Sequence, residues 1–384
     1  MLVVVAVAAA VLAGGAAVVA SVAGPGGAAG LDDVIERVNT EDITRFLEEL
    51  DRDLVPQMPR FDVMQIIDDP GTLLEPGRVL QAAGSYLARE VVTGLGILGA
   101  LVTMAVLVAA FDALASGVSA RGPVVAAQAV CRVILVIMGV TAFERVAALG
   151  IETVENMSSL LYALMPSLVT AMAASGAIVT AAVVSPVMVA ATAAMGTLVR
   201  SWIIPTLLMA AVLGLVGDVG GRKQVSRIAA VMRQWAMIIM GLASTLFVAA
   251  TGIRSGIAKV SDAAAGRAAK FLAGSMVPVV GKALSDAIDV VAASSSLVRG
   301  ALGAFGLAAL VMLCLFPLMK MAGIMLAFRV AGGLCQPLGD SRLSDALWEM
   351  ADALQGLCVA VGVVGLMFFL CMAAFAGLGG VLPR

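Results

Sequence analysis

The sequence predicts an all-α, polytopic membrane protein with about six to eight transmembrane helices and a small acidic helical segment outside the cytoplasm. Hydrophobic residues make up 61% of the 384 residues and charged residues only 13%, whereas soluble domains carry roughly 25% charged residues. Long uncharged runs recur along the chain without strand-like alternation, and a backbone in lipid must satisfy its own hydrogen bonds. The spans are therefore helices.

The same composition excludes several function classes. A soluble enzyme, a disordered protein or a nucleic-acid-binding protein needs more polar surface than this chain has. The absence of histidine excludes histidine acid–base catalysis, histidine metal sites and histidine proton relays. No HExxH, GxSxG or GxxxxGK[ST] motif occurs, so we predict no catalytic, metal or cofactor site. The five cysteines show no CxxC spacing and are predicted to be free thiols in apolar packing.

The first element, residues 1–23, is a signal peptide or an N-terminal anchor. Leu2–Val22 carries no charge, and about 20 such residues span a bilayer. Ser21-Val22-Ala23 fits a small-residue cleavage site, although no basic residue precedes the apolar run. Both alternatives place the following segment outside the cytoplasm.

The second element, residues 24–90, is predicted to be an acidic helical extracytoplasmic segment. Residues 31–90 contain 14 acidic residues and 6 arginines. Within Glu41–Val55 the apolar side chains recur with helical spacing, Thr40 is a suitable N-cap and Pro56 ends the helix. The charge favours the solvated surface of a small helical domain, with a cation site as the alternative.

The third element, residues 91–384, is a multi-span membrane domain. Its uncharged or nearly uncharged runs give eight candidate spans when the 44-residue run is counted twice. That run, 156–199, contains Pro166, Gly176 and Pro186, which fit either a tight helical hairpin or a re-entrant pair. The runs are 91–111, 123–143, 156–199, 201–217, 234–253, 300–319 and 353–383.

The charged residues between the apolar runs predict which side of the membrane each connecting segment occupies. The basic loop 218–233 belongs in the cytoplasm if residues 24–90 lie outside and the run 156–199 crosses an even number of times. Residues 254–299 carry six basic and three acidic residues and are predicted to contain a re-entrant or amphipathic stretch. Trp202 and Trp235 lie beside arginines at the ends of runs, as interfacial tryptophans do.

Three stretches carry a resemblance to a known family. The most specific extends from Lys270 to Gly303 and includes Val277-Pro278-Val279-Val280-Gly281 and Asp286-Ala287. The others are Phe46-Leu47-Glu48-Glu49-Leu50-Asp51, followed by Pro59 and Gly71, and Leu164-Met165-Pro166, followed by Gly176 and Ser185-Pro186. In this order and spacing, the chain resembles the stage III sporulation protein AE family.

The resemblance implies a subunit of a transenvelope channel between mother cell and forespore, related to specialised secretion systems. It implies partnership with other stage III sporulation A membrane proteins and, through them, with a forespore membrane partner. It implies a place in the mother-cell membrane around the forespore and a need for the protein in late forespore gene expression. The resemblance does not decide whether the chain also forms a homo-oligomer. The residues themselves also allow a second function, a stand-alone permease for a small solute, because prolines and a glycine interrupt the run 156–199.

The candidate functional residues form two groups. Arg132, near the middle of its run, is a pore or solute contact, or else snorkels or forms a structural ion pair. Pro166, Gly176 and Pro186 break helices at mid-membrane, or else shape a kinked hairpin.

The second group comes from the resemblance. Lys270, Pro278, Gly281 and Asp286 are expected to line a conduit or contact another subunit, with an amphipathic segment on the bilayer as the alternative. The charged residues before the last run are expected to lie on a solvated helix, with a docking surface as the alternative. They are Asp340, Arg342, Asp345, Glu349 and Asp352.

Overall fold

The computed structural model describes residues 121–220, 223–276, 280–336 and 341–375, with a few positions between 99 and 110. These residues are almost entirely helical and include no strand, which confirms the all-α prediction. The predicted segments 1–23 and 24–90 lie outside the described residues. In chain order the elements are α1 (Arg121–Ala174), α2 (Ile178–Leu198), a π-helical turn (Val199–Ile203), α3 (Ile204–Val219), α4 (Lys223–Met276), α5 (Val280–Cys335) and α6 (Ser341–Phe375).

Five helical segments of the described chain are long and apolar enough to span a membrane, which confirms a polytopic membrane protein. The segmentation differs from the sequence prediction, because the runs 123–143 and 156–174 belong to the single helix α1. The charged residues between them do not end the helix, because Glu and Arg are good helix formers and no proline intervenes. Likewise, α2, the π-helical turn and α3 form one candidate span.

A tight turn joins α1 to α2, as the hairpin alternative predicted. Gly176 has a φ of +87°, a conformation that costs other residues free energy. The Gly176 amide donates to the Ala173 carbonyl at 3.1 Å, and the Ala177 amide donates to the Met172 carbonyl at 3.0 Å. Pro166 and Pro186 lie inside α1 and α2 without interrupting them.

The core is centred on the antiparallel pair α5 and α6, against which α1 packs. Its largest fully buried side chains include Phe143 of α1, Phe328 of α5 and Phe368 of α6. Glycines permit close helix contacts, as in other membrane bundles: a methyl group added at Gly306 would collide with Met372 and Leu164. All five cysteines are buried and are not joined in disulfides, as predicted.

The stretch 254–299 is divided between two long helices. Residues 254–276 continue α4 and residues 280–299 begin α5. Lys270 therefore lies in α4, and Gly281 and Asp286 lie in the first turns of α5, whereas Pro278 lies outside the described residues.

Candidate functional site

A polar cleft interrupts the apolar surface between α1 and α2. At its rim an Arg200 Nη1 donates to Glu155 Oε1 at 2.6 Å, which joins the π-helical turn to α1. The side chains of Arg200 and Glu155 are 66% and 53% exposed, so the pair opens onto the outer surface of the bundle. The cleft has a volume of about 460 Å³ and is lined by Ile151, Val154, Glu155, Ser158, Ser159, Tyr162, Thr192, Ala193, Gly196, Thr197, Val199, Arg200 and Ser201.

The π-helical turn that carries Arg200 has a local cause in the sequence. Pro205 has no backbone N–H, so it cannot complete the regular hydrogen-bond ladder of an α-helix. The helix widens just before it, and the Ile204 amide donates to Val199 five residues back. Such π-helical turns are frequent at functional sites.

Hydroxyl groups give the cleft its polar character. The Ser158 hydroxyl donates to the Val154 carbonyl at 2.8 Å, and the Thr197 hydroxyl donates to the Ala193 carbonyl at 2.8 Å. Because each has used its proton within its own helix, both oxygens still offer lone pairs to a donor. Thr192 is 1% exposed and lies at the buried side of the cleft.

A second polar feature, which we call the charged quartet, consists of Arg233, Arg329, Glu349 and Asp352. Arg233 of α4 pairs with Glu349 of α6 and lies 3.5 Å from Asp352. Arg329 of α5 pairs with Asp352 at 3.1 Å. The quartet therefore ties three helices together with a net charge of zero.

Three of the four side chains lie largely inside the protein, whereas that of Asp352 is 47% exposed. The side chains of Arg233, Glu349 and Arg329 are 16%, 22% and 25% exposed. Arg329 also donates to Gln355, and its guanidinium lies 5.7 Å from the centre of the Trp348 ring. Among the described residues, the Nε atoms of both arginines have no hydrogen-bond partner. Glu349 is thus paired between helices, and the expectation that it is solvated is wrong.

None of the residues singled out from the sequence lines the polar cleft. Arg132 lies within α1, well before Glu155 along the helix. Pro166 and Pro186 lie on exposed positions of their helices, and Gly176 forms the turn. The structure therefore does not bring these four residues together at one site, and their proposed conduit roles stay predictions.

The sequence contained a signal for the residues that were missed. Glu155 immediately precedes the long uncharged run 156–199, and Arg200 immediately follows it. A hairpin centred on Gly176 brings these two ends together, so opposite charges at both ends of the run predict an ion pair. The quartet had no comparable signal, because its members lie on three helices separated by up to 119 positions in the sequence.

Within the described parts of the chain, no three His, Cys, Asp or Glu side chains are grouped so as to hold a metal ion. The functional geometry consists instead of a polar cleft, a charged quartet and large apolar surfaces.

Comparison with known proteins agrees with the resemblance seen in the sequence. The profile of the stage III sporulation protein AE family matches residues 62–379. Stage III sporulation protein AE of Bacillus subtilis (strain 168) is 25% identical over 328 residues, which cover 85% of this chain and 82% of that protein. No solved structure matches the chain. The family profile covers most of the sequence, and the chain therefore belongs to the stage III sporulation protein AE family, whose name implies a role in sporulation.

Proposed function

We propose that the protein is a non-enzymatic membrane subunit of a transenvelope channel between mother cell and forespore, required for late forespore gene expression. Its partners are other stage III sporulation A membrane proteins and, through them, a partner in the forespore membrane. It lies in the mother-cell membrane around the forespore, with residues 24–90 outside the cytoplasm. Membership of the sporulation family supports this role.

One observation supports a place in a larger assembly. Helix α1 has 54 residues and is therefore about 80 Å long, whereas the hydrocarbon core of a bilayer is about 30 Å thick. Its two apolar stretches, 123–143 and 156–174, are separated by charged residues. A single straight helix can place only one of these stretches in lipid.

Both sides of this polar interruption expose large apolar side chains. Val130 and Val133 are 59% and 57% exposed on one side, and Ile178 and Val189 are 64% and 40% exposed on the other. Whichever level is in lipid, the other exposes apolar surface to water unless protein covers it. Coverage by neighbouring subunits would resolve this conflict. The exposed apolar side chains on both sides of the polar interruption are the observation that carries the proposal.

The hairpin is also consistent with the proposed orientation. Because α1 and the α2–α3 segment form one antiparallel pair, they return the chain to the side from which α1 started. The basic segment 218–233, which ends α3 and begins α4, then lies at the cytoplasmic side if the run 91–111 crosses once. That arrangement agrees with the excess of Lys and Arg expected in cytoplasmic loops.

An in-frame deletion in the native host tests the role. We expect engulfment to finish, a late forespore reporter to stay silent and forespores to collapse, with recovery on expression of the intact chain. Normal sporulation of the deletion strain would overturn the proposal. An early forespore reporter in the same cells serves as the control, because it should be unaffected.

Photo-crosslinking tests the assembly argument directly. A photoreactive residue replaces Val133 in one strain and Val189 in another, so that each level of the bundle is sampled. We expect lipid adducts from one position and protein adducts from the other. Lipid adducts from both would contradict the argument from helix length.

The polar cleft favours a second candidate, a stand-alone permease for a small solute, because its volume lies in the range of small-molecule sites. Flux assays with the purified protein in vesicles separate the two functions. Solute flux with this protein alone supports the permease, whereas a sealed vesicle together with the sporulation defect supports the channel subunit.

A further inference from the structure

We propose that the polar cleft is a binding site for a zwitterion, a group carrying one ammonium and one carboxylate or phosphate. Two sources supply this chemistry: a free amino acid, and the headgroup of a zwitterionic lipid such as phosphatidylethanolamine. The inference rests on the cleft between α1 and α2 and does not depend on the channel role.

Two opposite charges stand at the rim of the cleft. Glu155 and Arg200 stand on facing helices with 53% and 66% of their side chains exposed. Exposed ion pairs contribute little net stability, so they exchange partners readily. A zwitterion can bind both at once, with its anionic group on the Arg200 guanidinium and its ammonium on the Glu155 carboxylate. A ligand with one charge leaves one of the two protein charges unpaired.

Hydroxyl oxygens in the cleft can accept hydrogen bonds from the ammonium group of a zwitterion. An ammonium has three donors, and Glu155 alone does not satisfy them. The Ser158 and Thr197 oxygens stand on the two walls and have already donated their own protons to backbone carbonyls. They are therefore available as acceptors close to the carboxylate.

The cleft has room for a ligand beside the charged rim. Gly196 keeps the wall open, because a methyl group there would come within 4.0 Å of only one atom outside its own helix turn, Ser158 Oγ. Ile151, Val154 and Ala193 supply apolar wall, and Tyr162 a hydroxyl-bearing ring. Most of the other lining residues carry a hydroxyl or a charge, so the cleft suits a polar ligand with a small apolar part.

The position of the rim relative to the membrane decides which ligands can reach the cleft. Charged side chains avoid the hydrocarbon core, so the Glu155–Arg200 rim lies at a headgroup or water level or against another protein. Trp202 follows Arg200 closely and is 67% exposed, and tryptophans concentrate at membrane interfaces. Both a headgroup and a dissolved solute reach a site at that level.

Fluorescence of Trp202 provides the test. The full chain carrying Trp235→Phe and Trp348→Phe is purified into nanodiscs, so that Trp202 is the one remaining tryptophan. L-alanine is titrated into phosphatidylglycerol nanodiscs as the free zwitterion. Phosphatidylethanolamine is varied as a fraction of the lipid in a second series. Acetate and methylammonium serve as single-charge probes.

We expect saturable binding of one zwitterionic probe or both, with single-charge probes about tenfold weaker or more, since charge-assisted bonds are then made at one end only. Glu155→Gln and Arg200→Gln should each weaken binding by a similar factor. Glu152→Gln is the matched control, because Glu152 is an exposed acid one turn earlier on α1 that does not line the cleft. Response to alanine identifies a solute site, and response to phosphatidylethanolamine alone identifies a lipid site.

Absence of saturable binding with either zwitterion overturns the proposal. So does binding that persists in both Glu155→Gln and Arg200→Gln, provided that their melting curves match that of the parent. Neither result bears on the channel-subunit proposal, which the deletion phenotype tests separately.

Discussion

Helices α4 and α6 are both apolar enough to span a membrane, yet they occupy opposite environments. Of the most apolar part of α6, 67% of the residues are buried within the protein, against 17% for α4. The bundle thus has an inner helix and an outer helix, and the inner helix is also the more apolar of the two.

Helices α4 and α6 also differ in how closely they approach other helices. On α6, Gly365 faces α5 so closely that a methyl group would meet the Cys314 sulfur, and small residues allow such contacts. On α4, large side chains recur with helical spacing on the outer face, which contains no exposed charge between Ile228 and Ala250. They are Ile228, Val231, Trp235, Ile238, Leu242 and Leu246. Large side chains on this face of α4 are therefore exposed, whereas large side chains on α6, such as Phe368, are buried against the rest of the described bundle.

The charged quartet is where the outer helix is held to the inner one, so breaking it should have the largest effect. Arg233→Met leaves Glu349 without the arginine that it faces. Removing one partner of a buried pair costs about 3–5 kcal/mol, and the partial exposure of this pair places the loss at the lower end. The melting temperature of the purified chain measures it.

A matched double variant distinguishes pairing from packing. Arg233→Met with Glu349→Leu replaces both charges by apolar side chains of similar size, which is often nearly neutral for a buried pair. Asp352 keeps Arg329 as its partner. If the double variant loses as much stability as Arg233→Met alone, the unpaired charge was not the cause.

The sequence predicted the composition-driven features of the fold. Long uncharged runs predicted helices, and the run around Gly176 predicted either a hairpin or a re-entrant pair, of which the structure has the hairpin. It did not predict that α1 would continue through residues 144–155, because charge was taken to end a span, whereas Glu and Arg also favour helix. Charge marks a change of environment, and only Gly, Pro and turn residues mark a change of secondary structure.

The candidate site was less accessible to sequence reasoning. Arg200 was interpreted as an interfacial residue because Trp202 lies beside it, and its partner Glu155 lies 45 positions away in the sequence. The resemblance alone points to Lys270 and Asp286; they lie in α4 and α5, and their proposed role stays a prediction. Local patterns identify helices, but pairing between helices depends on their relative rotation.

Close packing of α6 on α5 gives the second prediction. Gly365→Ala should cost about 1–3 kcal/mol, the range for overpacking, because Cys314 has a short side chain that cannot swing away and Met157 lies 3.6 Å from the added carbon. Gly241→Ala on α4 is the control: nothing lies within 4 Å of it. We expect that change to be neutral or to stabilise by about 0.5–1 kcal/mol. Equal losses at both positions in chemical unfolding would contradict the inner and outer assignment.

Substitutions at Gly176 in the α1–α2 turn should change the stability only through the backbone conformation. Gly176 has open space around it and a φ of +87°, so Gly176→Ala should cost about 1 kcal/mol for the left-handed conformation. Gly176→Asn should cost less, since asparagine tolerates that region better. Unfolding of both variants in the same detergent measures the difference, and a larger loss for Asn than for Ala would show that side-chain contacts dominate the turn.

The outer face of α4 should give the smallest effect on the isolated chain. Leu242 and Leu246 are 60% and 63% exposed, so Leu242→Ala with Leu246→Ala should change the free energy of unfolding by about 0.5 kcal/mol or less per site, as at other surface positions. If the face contacts another subunit, the same variant should lose protein crosslinks in sporulating cells while its melting temperature in detergent is unchanged. A large loss of stability in detergent would show instead that this face packs within the chain, and the contrast between α4 and α6 would then fail.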